Sequence, residues 1–377
     1  MTVSNPSSQQ RVGFLLPSGA GVPVGGVKVV LEYANALVAR GWGVTVAMPH
    51  LIDPSRVARA RASPLARLKA SLSFANRRLR GGWRPDPWFR VDPRVELAFL
   101  PTPEALPHAD AWVASAWQTA PWVAALPGAR LYLIQHLETW AGSEPEVVAT
   151  WKLPLRKVVI AQWLADFAAQ HGETAEVVRN GLDFEVFGLD AAPETRAPHR
   201  VLMLFHTSEW KGSKDGLVAL ELAKREHPPL EATLFGVTPR PAGLPEWIAY
   251  EQRPAQRRLR ALYNEAAIFL APSRVEGFGL PPAEAMACGA AVAATDVGGH
   301  REFARHEETS LLSPPLAPAA LAANVLRLVR DPAARARLAR AGHAYIRTFT
   351  WDAATTRFEA ILRDELAKTD ALRRGVR

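Results

Sequence analysis

Residues 271–299 read APSRVEGFGLPPAEAMACGAAVAATDVGG. The apolar run IFLAPS that leads into this stretch reads as a short buried strand. The loop RVEGFG follows, and a helix is expected to start near Leu280. Pro281 and Pro282 suit a first helical turn, where a missing N–H does no harm. Gly277 and Gly279 permit tight backbone turns and close approach by a ligand. Exposed N–H groups at such a loop and helix start form an anion site, for which a diphosphate is the natural guest. Two carboxylates flank it, Glu276 before the turn and Glu284 within the helix. Carboxylates accept hydrogen bonds well from paired hydroxyls, so one can face a sugar while the other reaches a ribose. For Glu284 the alternative is simple stabilisation of a helix N-terminus.

The same alternation extends outward in both directions. RVGFLLPSG (11–19), GGVKVVLEYANALVARGW (25–42) and GVTVAMP (43–49) form a strand–helix–strand unit, which implies a parallel sheet with helices on its faces. The apolar runs VELAFLP, AWVASA, ARLYLIQ and KVVIAQ continue the series. Residues 181–199 interrupt it with Gly, Pro and charges, as an interdomain connection would. A second strand-and-helix series runs from RVLMLFH (200–206) to AAVAATD (290–296), and a helical tail follows with an aromatic break at FTW (349–351). The expected architecture is therefore α/β, with two Rossmann-like domains facing each other across a deep cleft. Residues 1–180 form the first domain and 181–350 the second. Residues 351–377 form a last helix that packs back towards the first domain. Ligand sites in such sheets lie beyond the carboxyl ends of the strands.

Composition narrows the function. The chain has 377 residues, 48% hydrophobic and 22% charged, which excludes disorder as the main state. Its one cysteine, Cys288, excludes a disulfide scaffold or a thiolate metal cluster. No signal peptide is read in MTVSNPSSQQR, and no apolar run reaches the ~18 residues of a spanning helix. There is no Asp-x-Asp and no histidine cluster with ligand spacing, so no metal is expected. The net charge is +8, and residues 51–90 alone carry ten basic side chains against Asp53 and Asp86. Within that basic insertion Leu65, Leu68, Leu72 and Leu79 fall on one face of a helix, with Arg67, Lys69, Arg77 and Arg80 mostly elsewhere around it. Two readings stand side by side: a surface helix lying on anionic lipid, or an ordinary helix packed on its own domain. The following GGWRPDPWFR reads as a rigid aromatic loop beside a binding cleft.

The pattern EGFGLPPAE, with AMACGAAV and ATDVGGHREF after it, resembles the C-terminal signature of GT-B glycosyltransferases of family four (glycosyl transferases group 1). WKGSKDGLVAL is similar to that family's Lys-Gly diphosphate segment, and RNGLDFEVF to its interdomain segment. VGGVKVVLEYANALVARGWGVTV is similar to its N-terminal Gly-Gly loop and helix. The resemblance implies a retaining, metal-independent enzyme that moves a sugar from a nucleoside diphosphate sugar to an acceptor hydroxyl. It assigns Glu276 to the transferred sugar near the reacting carbon and Glu284 to the ribose. The backbone of Gly277, Phe278, Gly279 and Leu280 goes to the sugar and diphosphate, and Lys211 neutralises the diphosphate. A solvated surface lysine is the alternative for Lys211. Where the family has an arginine five residues before that lysine, this chain has His206, either a pH-dependent substitute or a structural histidine. Gly25 and Gly26 match the loop that lets backbone approach the donor phosphate or the acceptor, and Lys28 lies one turn further. His136 matches the cleft histidine of the first domain, a structural strand-end histidine being the alternative. Glu138 is the alternate polar residue there, and Trp117 and Trp140 are candidates to stack on a sugar or acceptor.

The implied partners are a nucleotide-sugar donor, a glycan or lipid-linked acceptor and an anionic membrane surface, with no nucleic acid and no cofactor. The implied setting is cytoplasmic, at the inner membrane face, in bacterial cell-surface polysaccharide or glycolipid synthesis. Alternatives on the same scaffold are a non-catalytic nucleotide-sugar or glycan-binding protein, and an epimerase or phosphorylase. A dinucleotide oxidoreductase is disfavoured, since the glycines at 19–26 do not spell G-x-G-x-x-G and GVTVAMP ends without an acid.

Overall fold

The computed structural model describes residues 9–17, 24–85 and 88–375. The chain divides into two compact units. The first comprises the chain up to Ile160, Leu164–Val178 and the chain from Trp351 on; the second comprises Ala161–Trp163 and Arg179–Thr350.

The first unit contains β1 (Arg11–Leu15), α1 (Gly25–Ala39), β2 (Gly43–Pro49), α2 (Pro54–Ala62), α3 (Pro64–Leu79), β3 (Glu96–Leu100), β4 (Ala111–Ala114), α4 (Ala120–Ala124), β5 (Ala129–Ile134), α5 (Glu144–Trp151), β6 (Arg156–Val159), α6 (Gln162–Gln170) and β7 (Ala175–Val177). The strands form one parallel sheet in the order β3-β2-β1-β4-β5-β6-β7. Its central strands read as continuous apolar runs because helices cover both faces: FLL of β1 and its extension, and the whole of AWVA in β4, are buried. Helix starts follow local chemistry. Ser63 caps α3 by accepting from the Ala66 N–H at 3.3 Å, with Pro64 in the first turn. Ser143 and Glu146 form a capping box at α5.

The second unit contains β8 (Arg200–Leu204), α7 (Ser213–Glu226), β9 (Glu231–Gly236), β10 (Ile248–Gln252), α8 (Gln256–Glu265), β11 (Ile268–Ala271), α9 (Leu280–Ala287), β12 (Ala291–Thr295), β13 (Leu311–Ser313), α10 (Pro318–Arg330) and α11 (Pro332–Ile346). Its sheet is also parallel, in the order β10-β9-β8-β11-β12-β13. Leu220, Leu234, Ile268, Leu270, Leu311, Val325, Leu328 and Leu338 lie at its core, all fully buried. In both sheets the strand order reverses beside the first strand, between β1 and β4 and between β8 and β11. That reversal opens a crevice at the carboxyl ends of the two strands, where ligands of such sheets bind. The expected fold class, two Rossmann-like parallel-sheet units, is the observed one. The three-residue strands β7 and β13 are additions to the reading from sequence.

The last helix, α12 (Trp351–Gly375), returns to the first unit. Phe358 packs on Tyr33 of α1, ring centroids 4.6 Å apart, and on Phe14 of β1 at 6.1 Å. Trp351 meets Tyr33 edge-on at 5.4 Å. Arg40 at the end of α1 bonds Glu359 and Asp352, and Arg156 pairs with Asp364.

The apolar face of α3 does not pack on its own unit. Leu65, Leu68, Leu72 and Leu79 are 63%, 56%, 61% and 88% exposed, and the helix buries no residue. The opposite side holds it in place, where Phe74 stacks on Phe99 at 5.1 Å. In GGWRPDPWFR, Trp83 is buried and Asp86 and Pro87 lie outside the described residues, as do Ser18–Pro23 of the N-terminal glycine loop.

Phe358→Ala removes the aromatic plug between α12, α1 and β1. It is expected to cost about 3–5 kcal/mol, seen as a lower denaturant midpoint for the first unit. Leu372→Ala on the same helix, at a position 72% exposed, should change stability by less than about 0.5 kcal/mol.

Candidate functional site

The crevice between β8 and β11 is built by backbones that touch. The chain leaves β8, makes a tight turn at Glu209–Lys211 and enters α7 through Gly212, whose φ is 62°. A Cβ at Gly212 would lie 2.0 Å from the Pro272 carbonyl oxygen, so only glycine allows the Lys211 turn to sit on the segment after β11. The Arg274 N–H donates to the Trp210 carbonyl at 2.7 Å and locks the two loops together. A third loop closes on them at Gly299, where a Cβ would meet the Glu276 carbonyl oxygen at 2.6 Å.

This framework places Lys211 against Glu276. The ammonium lies 2.8 and 2.9 Å from the two carboxylate oxygens, and the Ser273 hydroxyl donates to one of them at 2.8 Å. Glu276 is 6% exposed. Burial alone would raise its pKa, but the Lys211 charge, His300 and the two hydrogen bonds outweigh it and hold the carboxyl down, at about 2. Glu276 is therefore an anion paired with a cation at neutral pH.

Next to that pair the chain makes the Gly277–Gly279 turn, with Gly279 at φ 98° as the residue that opens α9. The backbone N–H groups of Gly277, Phe278, Gly279 and Leu280 donate to no acceptor among the described residues, although Gly277, Phe278 and Gly279 are buried. Pro281 and Pro282 contribute no N–H, so the expected anion site is confined to the turn and Leu280 and does not extend along the helix start. Clustered unpaired N–H groups next to a lysine suit an anion with several oxygens. The Phe278 side chain points into the protein, against Phe303 at 5.5 Å and Phe349 at 6.1 Å, leaving only its backbone to a ligand. Glu284 lies one turn into α9, 6% exposed, and accepts from the Tyr263 hydroxyl at 3.1 Å.

From sequence His206 is open to two readings, a pH-dependent cation or a structural histidine, and its surroundings favour the second. Burial and the neighbouring Lys211 charge lower its pKa from 6.5, with Glu276 offsetting part of the shift. Its Nδ1 accepts the Ser208 backbone N–H at 3.0 Å, and the His206 backbone N–H donates to Ser213 Oγ at 2.8 Å. It shapes the turn that carries Lys211, and burial beside that lysine disfavours its charged form. Nor does Arg274 supply a second cation, because Asp215 and Glu209 hold it at 2.8 Å each.

Residues missed from sequence complete this pocket. Ser273 orients Glu276. His300 is fully buried; its Nδ1 donates to the Thr295 carbonyl at 2.8 Å, and its Nε2, beside Gly279, has no hydrogen-bond partner among the described residues. Its place in VGGHREF, directly after two glycines, was the available signal.

In the first unit the other candidate residues gather at the carboxyl ends of β4 and β5. Gly25 and Gly26 are the first two residues of α1, and the Gln135 side chain donates to the Gly26 carbonyl at 3.1 Å. His136 follows, its ring 4.6 Å from Trp140 and its Nδ1 3.0 Å from the Leu137 carbonyl oxygen. The Trp117 N–H donates to Glu138 at 2.8 Å. Burial raises the Glu138 carboxyl to about 7, only partly opposed by that bond. Trp140 is 45% exposed, while the Trp117 ring closes on Gly142. Lys28 is half-buried in the first turn of α1. A cavity of about 1000 Å³, lined by Phe74, Trp83, Phe99, Arg78 and Arg84, opens elsewhere in this unit and includes none of these residues.

Residues 197–345 match the family model Glycosyl transferases group 1, so the second unit carries a domain of that kind. Glycogen synthase of Mycobacterium tuberculosis is 25% identical over 313 residues, covering 77% of this chain and 72% of that protein. Sucrose-phosphate synthase from Thermosynechococcus elongatus superposes with a TM-score of 0.74 at 19% identity, over 96% of this chain and 100% of that one. Anabaena HepE, solved in complex with UDP and glucose, gives 0.70 at 16% identity over 94% and 100%. These likenesses establish the GT-B type of fold. Among the described residues no helix is long and apolar enough to cross a membrane.

Lys211→Met should leave Glu276 buried without its cation and cost about 3–5 kcal/mol at pH 7. The pH dependence should also change. In the wild type the depressed Glu276 pKa contributes stability that is present above the unfolded value of about 4.3 and lost as pH falls towards 2. In the variant the carboxyl titrates upward instead, so its deficit should shrink as pH falls from 7 to 4. Denaturant midpoints across that range test this.

Proposed function

We propose that the chain is a retaining, metal-independent glycosyltransferase of family four that moves a sugar from a nucleoside diphosphate sugar to an acceptor hydroxyl. The observation that carries this reading is the pair of half-buried Lys211 with buried Glu276, set against four backbone N–H groups unpaired among the described residues. The group 1 domain over residues 197–345 and the UDP held by HepE support a nucleoside diphosphate as the anion.

The roles follow from charge. As the bond from the sugar carbon to the phosphate oxygen breaks, negative charge grows on the diphosphate and positive charge on the sugar ring. Lys211 and the N–H groups of Gly277–Leu280 stabilise the first charge with donors already in place. Glu276, anionic and fixed by Ser273, positions the sugar. Glu284 takes the ribose hydroxyls. The acceptor hydroxyl attacks from the face the diphosphate leaves, and the departing phosphate oxygen takes its proton, so the anomeric configuration is kept. The fixed lysine supplies the positive charge that a metal ion gives to other diphosphate sites.

On the acceptor side the reading uses His136, Glu138, Trp117 and Trp140, with the first turn of α1 at Gly25 and Gly26. A carboxyl raised to about 7 donates as well as accepts hydrogen bonds, which suits contact with a hydroxyl. The acceptor is a glycan or a lipid-linked saccharide, in cell-surface polysaccharide or glycolipid synthesis on the cytoplasmic side. The dense positive charge of residues 51–90 supports an anionic, membrane-proximal acceptor.

A panel of nucleoside diphosphates and their sugars tests this. One of them should raise the melting temperature in proportion to the logarithm of its concentration, and Lys211→Met should abolish the shift. With that donor, transfer should persist in excess chelator, and NMR of the product should show the donor's anomeric configuration. Lys211→Met should lower kcat by about 10²–10³. No shift from any donor, or an inverted product, would refute the assignment.

A further inference from the structure

We propose that α3 is a membrane-docking helix whose leucine face enters a lipid bilayer while its basic flanks bind anionic headgroups. Leu65, Leu68, Leu72 and Leu79 lie within an arc of about 60° at 3.6 residues per turn. Each is more than half exposed. Single exposed leucines are ordinary on a soluble protein, but an aligned stripe along four turns marks an interaction face.

The helix is presented with that face outward. Phe74, on the opposite side, stacks on Phe99 at 5.1 Å, and the Arg77 guanidinium lies over the same ring at 5.3 Å. The attachment therefore uses the side away from the leucines. The cavity beneath α3 is lined from that same side by Phe74 and Arg78. No residue of α3 is buried, so the helix contributes little to the core, and its leucines are not needed for folding.

The charge identifies the occupant. Between residues 54 and 85 there are nine basic side chains and no acidic one. Lys69 and Arg80 lie along one edge of the leucine arc and make no ion pair among the described residues, whereas Arg61 is paired with Glu104 at 2.6 Å. An apolar stripe with cationic flanks is the pattern of a helix lying in the interface of a bilayer that carries anionic lipid. A second copy of the chain is a poor fit, because pairing two such helices would bring like charges together. The inference shares the basic segment with the membrane-proximal acceptor proposed above but uses none of the donor chemistry, so vesicle binding and donor transfer fail or succeed separately.

Flotation with the full chain tests the proposal, using phosphatidylcholine vesicles with and without phosphatidylglycerol. The wild type should bind the anionic vesicles at least about ten-fold more tightly than the neutral ones, and less tightly at high salt. Leu68→Ser with Leu72→Ser should lower binding to anionic vesicles by about ten-fold or more. Lys69→Glu with Arg80→Glu should remove the preference for anionic lipid. Both pairs alter exposed positions, so their melting temperatures should match the wild type, which shows that lost binding is not lost folding. No vesicle binding by the wild type, or equal binding by wild type and both variants, overturns the proposal. Dimerisation in solution that the leucine variant abolishes, without vesicle binding, also overturns it and assigns the face to a second copy.

Discussion

A lysine ammonium held within 2.9 Å of both oxygens of a buried glutamate is the constraint on which the second unit's crevice depends. Such a pair is a poor source of stability, because removing two charges from water offsets most of their attraction. Its arrangement therefore calls for another reason. The pair is overall neutral, and an anion that arrives at the four free N–H groups can draw on Lys211 without exposing Glu276. The carboxylate stays charged because Ser273 and Lys211 both favour its ionised form. On the proposed function, one ion pair thus holds both a cation for the diphosphate and an acceptor for sugar hydroxyls.

Backbone contact brings the two side chains together. Gly212 rests on Pro272 and Gly299 on the Glu276 carbonyl, at distances no Cβ would tolerate. The glycines are therefore not interchangeable loop residues. Each removes a side chain where one loop presses on another, and together they set the lysine and the glutamate by positions of backbone. This explains why three glycine-bearing segments, WKG, EGFG and VGG, lie far apart in the chain and meet at one point.

That geometry also explains what was legible in the sequence. Apolar runs ending in glycine loops announced the two parallel sheets, and EGFGLPPAE announced a strand, a turn and a helix beginning at Leu280. The strands β7 and β13, three residues each, were too short to stand out as apolar runs. Leucine spacing gave the apolar face of α3 but not its direction, because periodicity describes a helix and not its surroundings. The same limit left His206 open between a pH-dependent cation and a structural histidine, since its charge depends on burial and on Lys211, five residues away. Ser273 and His300 carry no spacing rule; they matter through a 2.8 Å bond to Glu276 and a fully buried ring beside Gly279.

The two prolines after Leu280 sharpen the site in a way that a helix dipole alone would not. An ordinary helix start offers several N–H groups along its first turn, and an anion there has more than one place to settle. With Pro281 and Pro282 in that turn, the donors that remain lie in the glycine turn and at Leu280, next to Lys211 and Glu276. Prolines also fix the backbone where the helix begins, so the turn before it has less freedom to relax. The consequence is a donor set that is both narrow and rigid. Such preorganisation favours charge that develops at one point during a reaction over charge that is merely bound.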